Sequence, residues 1–164
     1  MIIQRKQNGQ VVNETTHRKT FKMIAKTMLG FEEILAEELR NCGAQDIELL
    51  NRAVSFTGDM MTLYRTNYTC RTALAILKPI AEFEANSDQE LYDQVNHIRW
   101  EKIMTVDATL MIDSTTSGSI FTHSYYAALR TKDAIVDRFR RMFGTRPSVD
   151  TEHADFKINL HIAE

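Results

Sequence analysis

The chain has 164 residues, 43% hydrophobic and 26% charged, the balance of a soluble globular protein with one domain or two small ones. Its formal net charge of -2 excludes a uniformly basic nucleic-acid binder, so a role on nucleic acid has to rest on local charge. No stretch approaches the roughly 18 apolar residues of a membrane span, the first residues lack the apolar run of a secretion signal, and Cys42 and Cys70 have neither the spacing nor the neighbours of a zinc site; the expectation is a cytoplasmic protein with reduced thiols, no metal and no membrane.

Charge is unevenly spread. Residues 1–29 hold six Lys/Arg against one acid and 122–146 hold six against two, whereas 30–121 hold seven against fifteen. Residues 1–20 are polar without sustained periodicity and are expected to form a tail or one short edge strand, with cations available to nucleic acid. FKMIAKT (Phe21–Thr27) alternates as a strand does. In FEEILAEELRNCG, Phe31, Ile34, Leu35, Leu39 and Cys42 share one helical face, Glu32, Glu33, Glu37 and Glu38 make a solvated one, and Gly43 closes the helix. IELL (Ile47–Leu50) and AVSF (Ala53–Phe56) flank Asn51 and Arg52 as in a tight hairpin. A short helix opened by Gly58 and Asp59 places Met60, Leu63, Tyr64 and Asn67 on one side, and TALAIL (Thr72–Leu77) with PIAEF after it reads as a long strand. The order βαββαβ is the ferredoxin-like pattern, an antiparallel sheet with two helices on one face.

In the second half, Ser87 with Glu90 makes a capping box, and Leu91, Tyr92, Val95 and Ile98 carry a helix towards Trp100, expected as a core anchor rather than a platform for bases. A strand TLMID (Thr109–Asp113) precedes a polar turn STTSGS. FKINLHIA alternates Phe156, Ile158, Leu160 and Ile162 with Lys157, Asn159 and His161, a half-buried strand. A chain stopping one residue later leads us to expect that a partner strand is missing.

The stretch between these strands carries the strongest signals. From Thr122 to Phe143, the residues Tyr125, Ala128, Leu129, Ile135, Val136, Phe139, Met142 and Phe143 recur at helical spacing. Thr122 is the expected N-cap, Gly144 the left-handed terminator, and Pro147 prevents continuation. At about 100° per residue, the opposite face carries His123, Arg130, Arg138 and Arg141, with the small Ala127 and Ala134 between them leaving room for a bulky partner; Arg146 extends this positive surface. A solvated helix whose last-turn arginines complement the dipole would show the same pattern. Lys132 falls inside the apolar stripe, where an unpaired ammonium costs several kcal/mol unless its stem snorkels or it finds a partner.

The segments AKTMLGFEEILAEELRNCGA, LNRAVSFTGD, RTALAILKPIAEF and above all IFTHSYYAALRTKDAIVDRFRRMFGTRPSVD, in that order, resemble the N-terminal region of bacterial large-subunit (23S) rRNA guanine-N2 methyltransferases of the THUMP class. The resemblance covers about residues 22–164 and implies an α+β chain: a polar tail over 1–20, a ferredoxin-like domain over 21–84, and a THUMP domain of mixed α/β type over 85–164 that lacks its last strand. It further implies that the chain binds structured RNA, ribosomal RNA first, and presents it to a methyltransferase domain in cis that uses S-adenosylmethionine. The family's THUMP residues map onto Phe121 to Ser124, Lys132, Asp133 and Arg141 to Val149, and Lys132 would be held by a polar neighbour and aimed at phosphate. The candidate RNA contacts are His123, Ser124, Arg130, Lys132, Arg138, Arg141 and Arg146.

No catalytic group is expected here. Six glycines cannot compose a G-x-G-x-x-G loop, and with only Pro79 and Pro147 there is no Asn-Pro-Pro motif. His123 and Ser124 are helix neighbours pointing about 100° apart, so they cannot share a proton. Two other readings stand beside RNA presentation for rRNA modification: a THUMP module of a tRNA-modifying enzyme, and a regulatory or assembly module whose basic helix docks a protein.

Overall fold

The computed structural model describes residues 4–7, 10–13, 19–117 and 123–163. Where a polar tail or single edge strand is expected, β1 (Gln4–Gln7) pairs antiparallel with β2 (Gln10–Asn13), Arg5 opposite Val12. Asn8-Gly9 between them is a hairpin signal that overall polarity hides.

β3 (Phe21–Lys26), α1 (Glu32–Asn41), β4 (Gln45–Leu50), β5 (Ala53–Gly58), α2 (Met60–Thr69) and β6 (Ala75–Leu77) follow in the βαββαβ order, β6 being three residues rather than the long strand expected from Thr72 onward because β3 pairs with it only over Ala75–Leu77. Their sheet is antiparallel throughout, ordered β4-β5-β3-β6. Met23 opposite Phe56 and Ala25 opposite Val54 put four buried side chains on one face, where Leu35, Ala36 and Leu39 of α1 close the core. Each fully buried Leu or Phe contributes about 1.5–3 kcal/mol. Two glutamates of α1 expected to be merely solvated bind backbone instead: Glu32 accepts from the amides of Gly30 (2.7 Å) and Arg52 (2.9 Å), and Glu38 accepts from those of Arg71 and Thr72 and from the Thr72 hydroxyl.

α2 does not bury the side made by Met60, Leu63, Tyr64 and Asn67 as a whole. Asp59 caps it, accepting from the Thr62 amide at 2.8 Å, but its buried residues are Thr62 and Thr66, while Met60 and Tyr64 face outward. The reason is closeness: a Cβ on Gly58 would lie 2.6 Å from Thr62 Cβ, so only small side chains fit between the helix and the end of β5.

The chain divides between Ile80 and Ala81. The second unit runs α3 (Asp88–His97), a 3-10 turn (Trp100–Lys102), β7 (Thr109–Ser117), α4 (Ser124–Phe143), β8 (Ser148–Val149) and β9 (Phe156–Ala163). Ser87 Oγ accepts from the Glu90 amide, and the Glu90 carboxylate reaches back to the Asn86 amide. β7 runs on through Ser114 to Ser117, where the polar turn STTSGS is expected, because β9 pairs with it along that length; the remainder of that turn and the expected N-cap Thr122 lie outside the described residues. The sheet order is β8-β7-β9, both partners parallel to β7. Trp100 is a core anchor: it is buried, and its indole N–H donates to the Val95 carbonyl at 2.8 Å. Leu91, Val95, Met104, Leu110, Ile135 and Phe139 surround it in one cluster.

Candidate nucleic-acid interface

α4 is the element on which the candidate cations sit, and it is rotated relative to its apolar pattern. Its buried residues are Ala127, Thr131, Ala134, Ile135, Val136 and Phe139. Tyr125, Met142 and Phe143, expected in the core, are 75%, 47% and 52% exposed. The small residues thus leave no room for an outside partner; Ala127 and Ala134 belong to the cluster formed with Leu91 and Val95 of α3, and the Asn96 amide donates to the Ala134 carbonyl at 2.8 Å. Small side chains let two helices approach closely, which a one-helix projection does not register.

That rotation reassigns the arginines. Arg138 is turned into its own unit rather than out to solvent. Its Nε and Nη2 donate to both carboxylate oxygens of Glu101 at 2.8 and 2.9 Å, its Nη1 donates to the Asn96 carbonyl at 2.9 Å, and its side chain is 15% exposed. The Arg138 hydrogen bonds hold the Glu101 carboxyl down to about 2, as a bidentate fork does. Arg130 lies across the Tyr92 ring, 4.7 Å from its centroid, with Nη2 3.4 Å from Gln89 Oε1, and its Nε is buried without a hydrogen-bond partner. Burial and the hydrogen bond to Asp137 raise the Tyr92 phenol. Both arginines therefore clasp α4 to its neighbours.

The other candidates stay on the surface. Arg141 is exposed and gives one donor, Nη2, to Asn96 Oδ1 at 2.8 Å. Arg146 is exposed, on a turn where Gly144 takes a left-handed φ of 72° and Pro147 is fully buried. Lys132 is half-buried and pairs with Asp133 at 2.8 Å, so a polar neighbour does hold the ammonium that falls in the stripe. His123 occupies the N-cap position without a side-chain capping bond, and Ser124 opens the helix with its carbonyl accepting from the Ser114 hydroxyl. Arg140, absent from the expected set, is exposed and reaches Asp137 only at 3.4 Å. Its neighbours Arg138 and Arg141 are the signal that could have included it. Gln89, Tyr92, Asn96 and Glu101 could not be found this way, since they lie 37 to 45 residues from the arginines they hold.

From Arg138 to Val149 the chain has four arginines and no carboxylate, three of them exposed at the end of α4 and the turn after it. Among the described residues no group of histidine, cysteine and carboxylate side chains could hold a metal.

Family models account for most of the chain. Residues 22–77 match the RlmL ferredoxin-like domain and residues 85–164 match the THUMP domain. The chain joins an RlmL ferredoxin-like domain to a THUMP domain. It is 44% identical over 141 residues to ribosomal RNA large subunit methyltransferase K/L of Syntrophotalea carbinolica, covering 86% of this chain and 20% of that protein. It is 37% identical over 147 residues to "Putative RNA methyltransferase slr0064" of Synechocystis sp., covering 90% of this chain and 38% of that one. Among solved structures it is similar to SMU.472, "a putative methyltransferase complexed with SAH", with a TM-score of 0.75 and 26% identity over 88% of this chain and 39% of the other. The THUMP-containing chain thus spans a fifth to two fifths of these relatives.

Proposed function

We propose that this chain is the RNA-recognition part of an S-adenosylmethionine-dependent rRNA (guanine-N2) methyltransferase of the cytoplasm, holding structured RNA for a methyltransferase domain in cis. The observation that carries the reading is the carboxylate-free run from Arg138 to Val149, with Arg140, Arg141 and Arg146 exposed on a helix end and a turn fixed by Gly144 and Pro147. Such a cluster meets phosphates whatever the base sequence, while the shape of the RNA supplies selection. The rRNA methyltransferase named among the relatives supports ribosomal RNA as the substrate class. The sequence holds no G-x-G-x-x-G loop, so no chemical step is assigned to these residues, and S-adenosylmethionine would be held by the methyltransferase domain in cis.

Fluorescence anisotropy with a labelled 23S rRNA hairpin and a transfer RNA, at two salt concentrations, tests it. Arg141→Glu/Arg146→Glu should abolish binding while circular dichroism stays unchanged, and the wild-type log–log salt slope should be about 0.7–0.9 per phosphate neutralised. Equal binding by the variant would refute the assignment, and preference for the transfer RNA would move the substrate to tRNA. The exposed Tyr125, Met142 and Phe143 on the same helix favour one second reading, docking of a protein surface; in that case neither RNA binds.

A further inference from the structure

We infer that the outward face of α2, in the ferredoxin-like unit, is a separate RNA-contact surface that takes unpaired nucleotides, with bases stacked on Tyr64 and Tyr68 and a phosphate against Arg65. It rests on the reading that the chain binds RNA and adds a second element and a different recognition chemistry.

Tyr64 and Tyr68 are 65% and 91% exposed, and Met60 and Met61 beside them 46% and 45%. Met60, Tyr64 and Tyr68 stand at successive four-residue steps, about 6 Å apart along the axis, so they form one stripe. A contiguous apolar stripe left in water marks a contact surface. Its charge decides what that surface contacts. Within α2 there is one arginine, Arg65, and no carboxylate beyond the N-cap Asp59, whereas α1 in the same unit carries Glu32, Glu33, Glu37 and Glu38. Among the described residues the ion pairs are Glu37–Arg40, Lys132–Asp133, Glu101–Arg138 and Asp137–Arg140, so Arg65 is held by none. Arg65 follows Tyr64 at about 100° round the helix, at the border of the stripe, where with Thr20, Gln45, Met61 and the helix-capping Asp59 it lines an open depression.

Exposed tyrosines on adjacent turns with a free cation at their edge suit a polyanion that offers flat faces, which is unpaired RNA. A duplex hides its bases, whereas every unpaired base has a face to stack. The surface is therefore tolerant of sequence and sensitive to salt, unlike an arginine cluster that meets a folded helix.

The test uses the whole chain with a fluorescein-labelled 12-nucleotide oligouridylate and, separately, the rRNA hairpin. Tyr64→Ala/Tyr68→Ala should weaken oligouridylate binding about tenfold per tyrosine and leave the hairpin affinity unchanged; Tyr64→Phe/Tyr68→Phe should retain both, since stacking needs the ring and not the hydroxyl. Photocrosslinks from a 4-thiouridine version of the 12-mer should fall within residues 60–71. Hairpin binding intact with oligouridylate binding indifferent to the alanine pair overturns this inference alone. Tyrosine-dependent oligouridylate binding without hairpin binding upholds it and refutes the assignment of α4. A change in sedimentation with no change in RNA affinity makes α2 a protein interface and overturns the inference.

Discussion

Helices α2 and α4 lie in different units and cover different sheets, yet they depart from their sequence patterns in the same way. Both bury small side chains, Thr62 and Thr66 in one and Ala127, Thr131 and Ala134 beside Ile135, Val136 and Phe139 in the other, and both turn some large ones outward, Met60, Tyr64 and Tyr68 against Tyr125, Met142 and Phe143. A helix that must lie close to its neighbour needs small residues at the contact, and the bulk it cannot bury becomes surface. The two differ in their cations. α4 commits Arg138 and Arg130 to its own unit and keeps Arg140 and Arg141 exposed, with Arg146 on the turn after it, whereas Arg65, next to Tyr64 on α2, has no ion pair among the described residues.

Filling the close contacts is the most damaging way to break this parallel. Ala134→Leu in α4 should cost about 1–3 kcal/mol by overpacking, because Ala134 is fully buried. Gly58→Ala should cost a similar amount in the first unit, its new Cβ falling 2.6 Å from Thr62; urea denaturation reads both. Removing the clasp comes next. Arg138→Ala should lower Tm by about 5–10 °C, while Arg146→Ala, at an exposed turn, should leave it unchanged.

The same clasp predicts a pH window. The Glu101 carboxyl has its ordinary value near 4.5 in the unfolded chain and about 2 when Arg138 binds it. Its contribution is therefore complete above about 4.5 and lost as pH falls towards 2, so thermal melts between pH 5 and 2.5 should lose part of their decline in Glu101→Gln. Smaller still is the effect of trimming the outward residues: Tyr125→Ser and Tyr68→Ser should each stay within about 0.5 kcal/mol of wild type. Last, burial and then the neighbouring Cys42 push the Cys70 thiol up to about 12. Labelling of native protein at pH 8 by a disulfide reagent should accordingly be much slower at Cys70 than at a free cysteine, and equal rates would show that the helix ends open readily.

Local periodicity and turn chemistry suffice for the element order. Alternation in Phe21–Lys26 and Phe156–Ala163, the Asp59 and Ser87 caps, and Gly144 are each legible because the interactions span a few residues. The segment matches in sequence likewise sufficed for the ferredoxin-like and THUMP assignment. Which face of a helix turns inward depends instead on how closely another element approaches, and which arginine stays free depends on carboxylates and carbonyls tens of residues away, as with Glu101 and Asn96 for Arg138. Amphipathic projection weighs size and polarity on one helix alone, so it places Tyr125 inside and Arg138 outside. Only the packed tertiary structure, where volume and hydrogen-bond partners are shared between elements distant in sequence, reverses both.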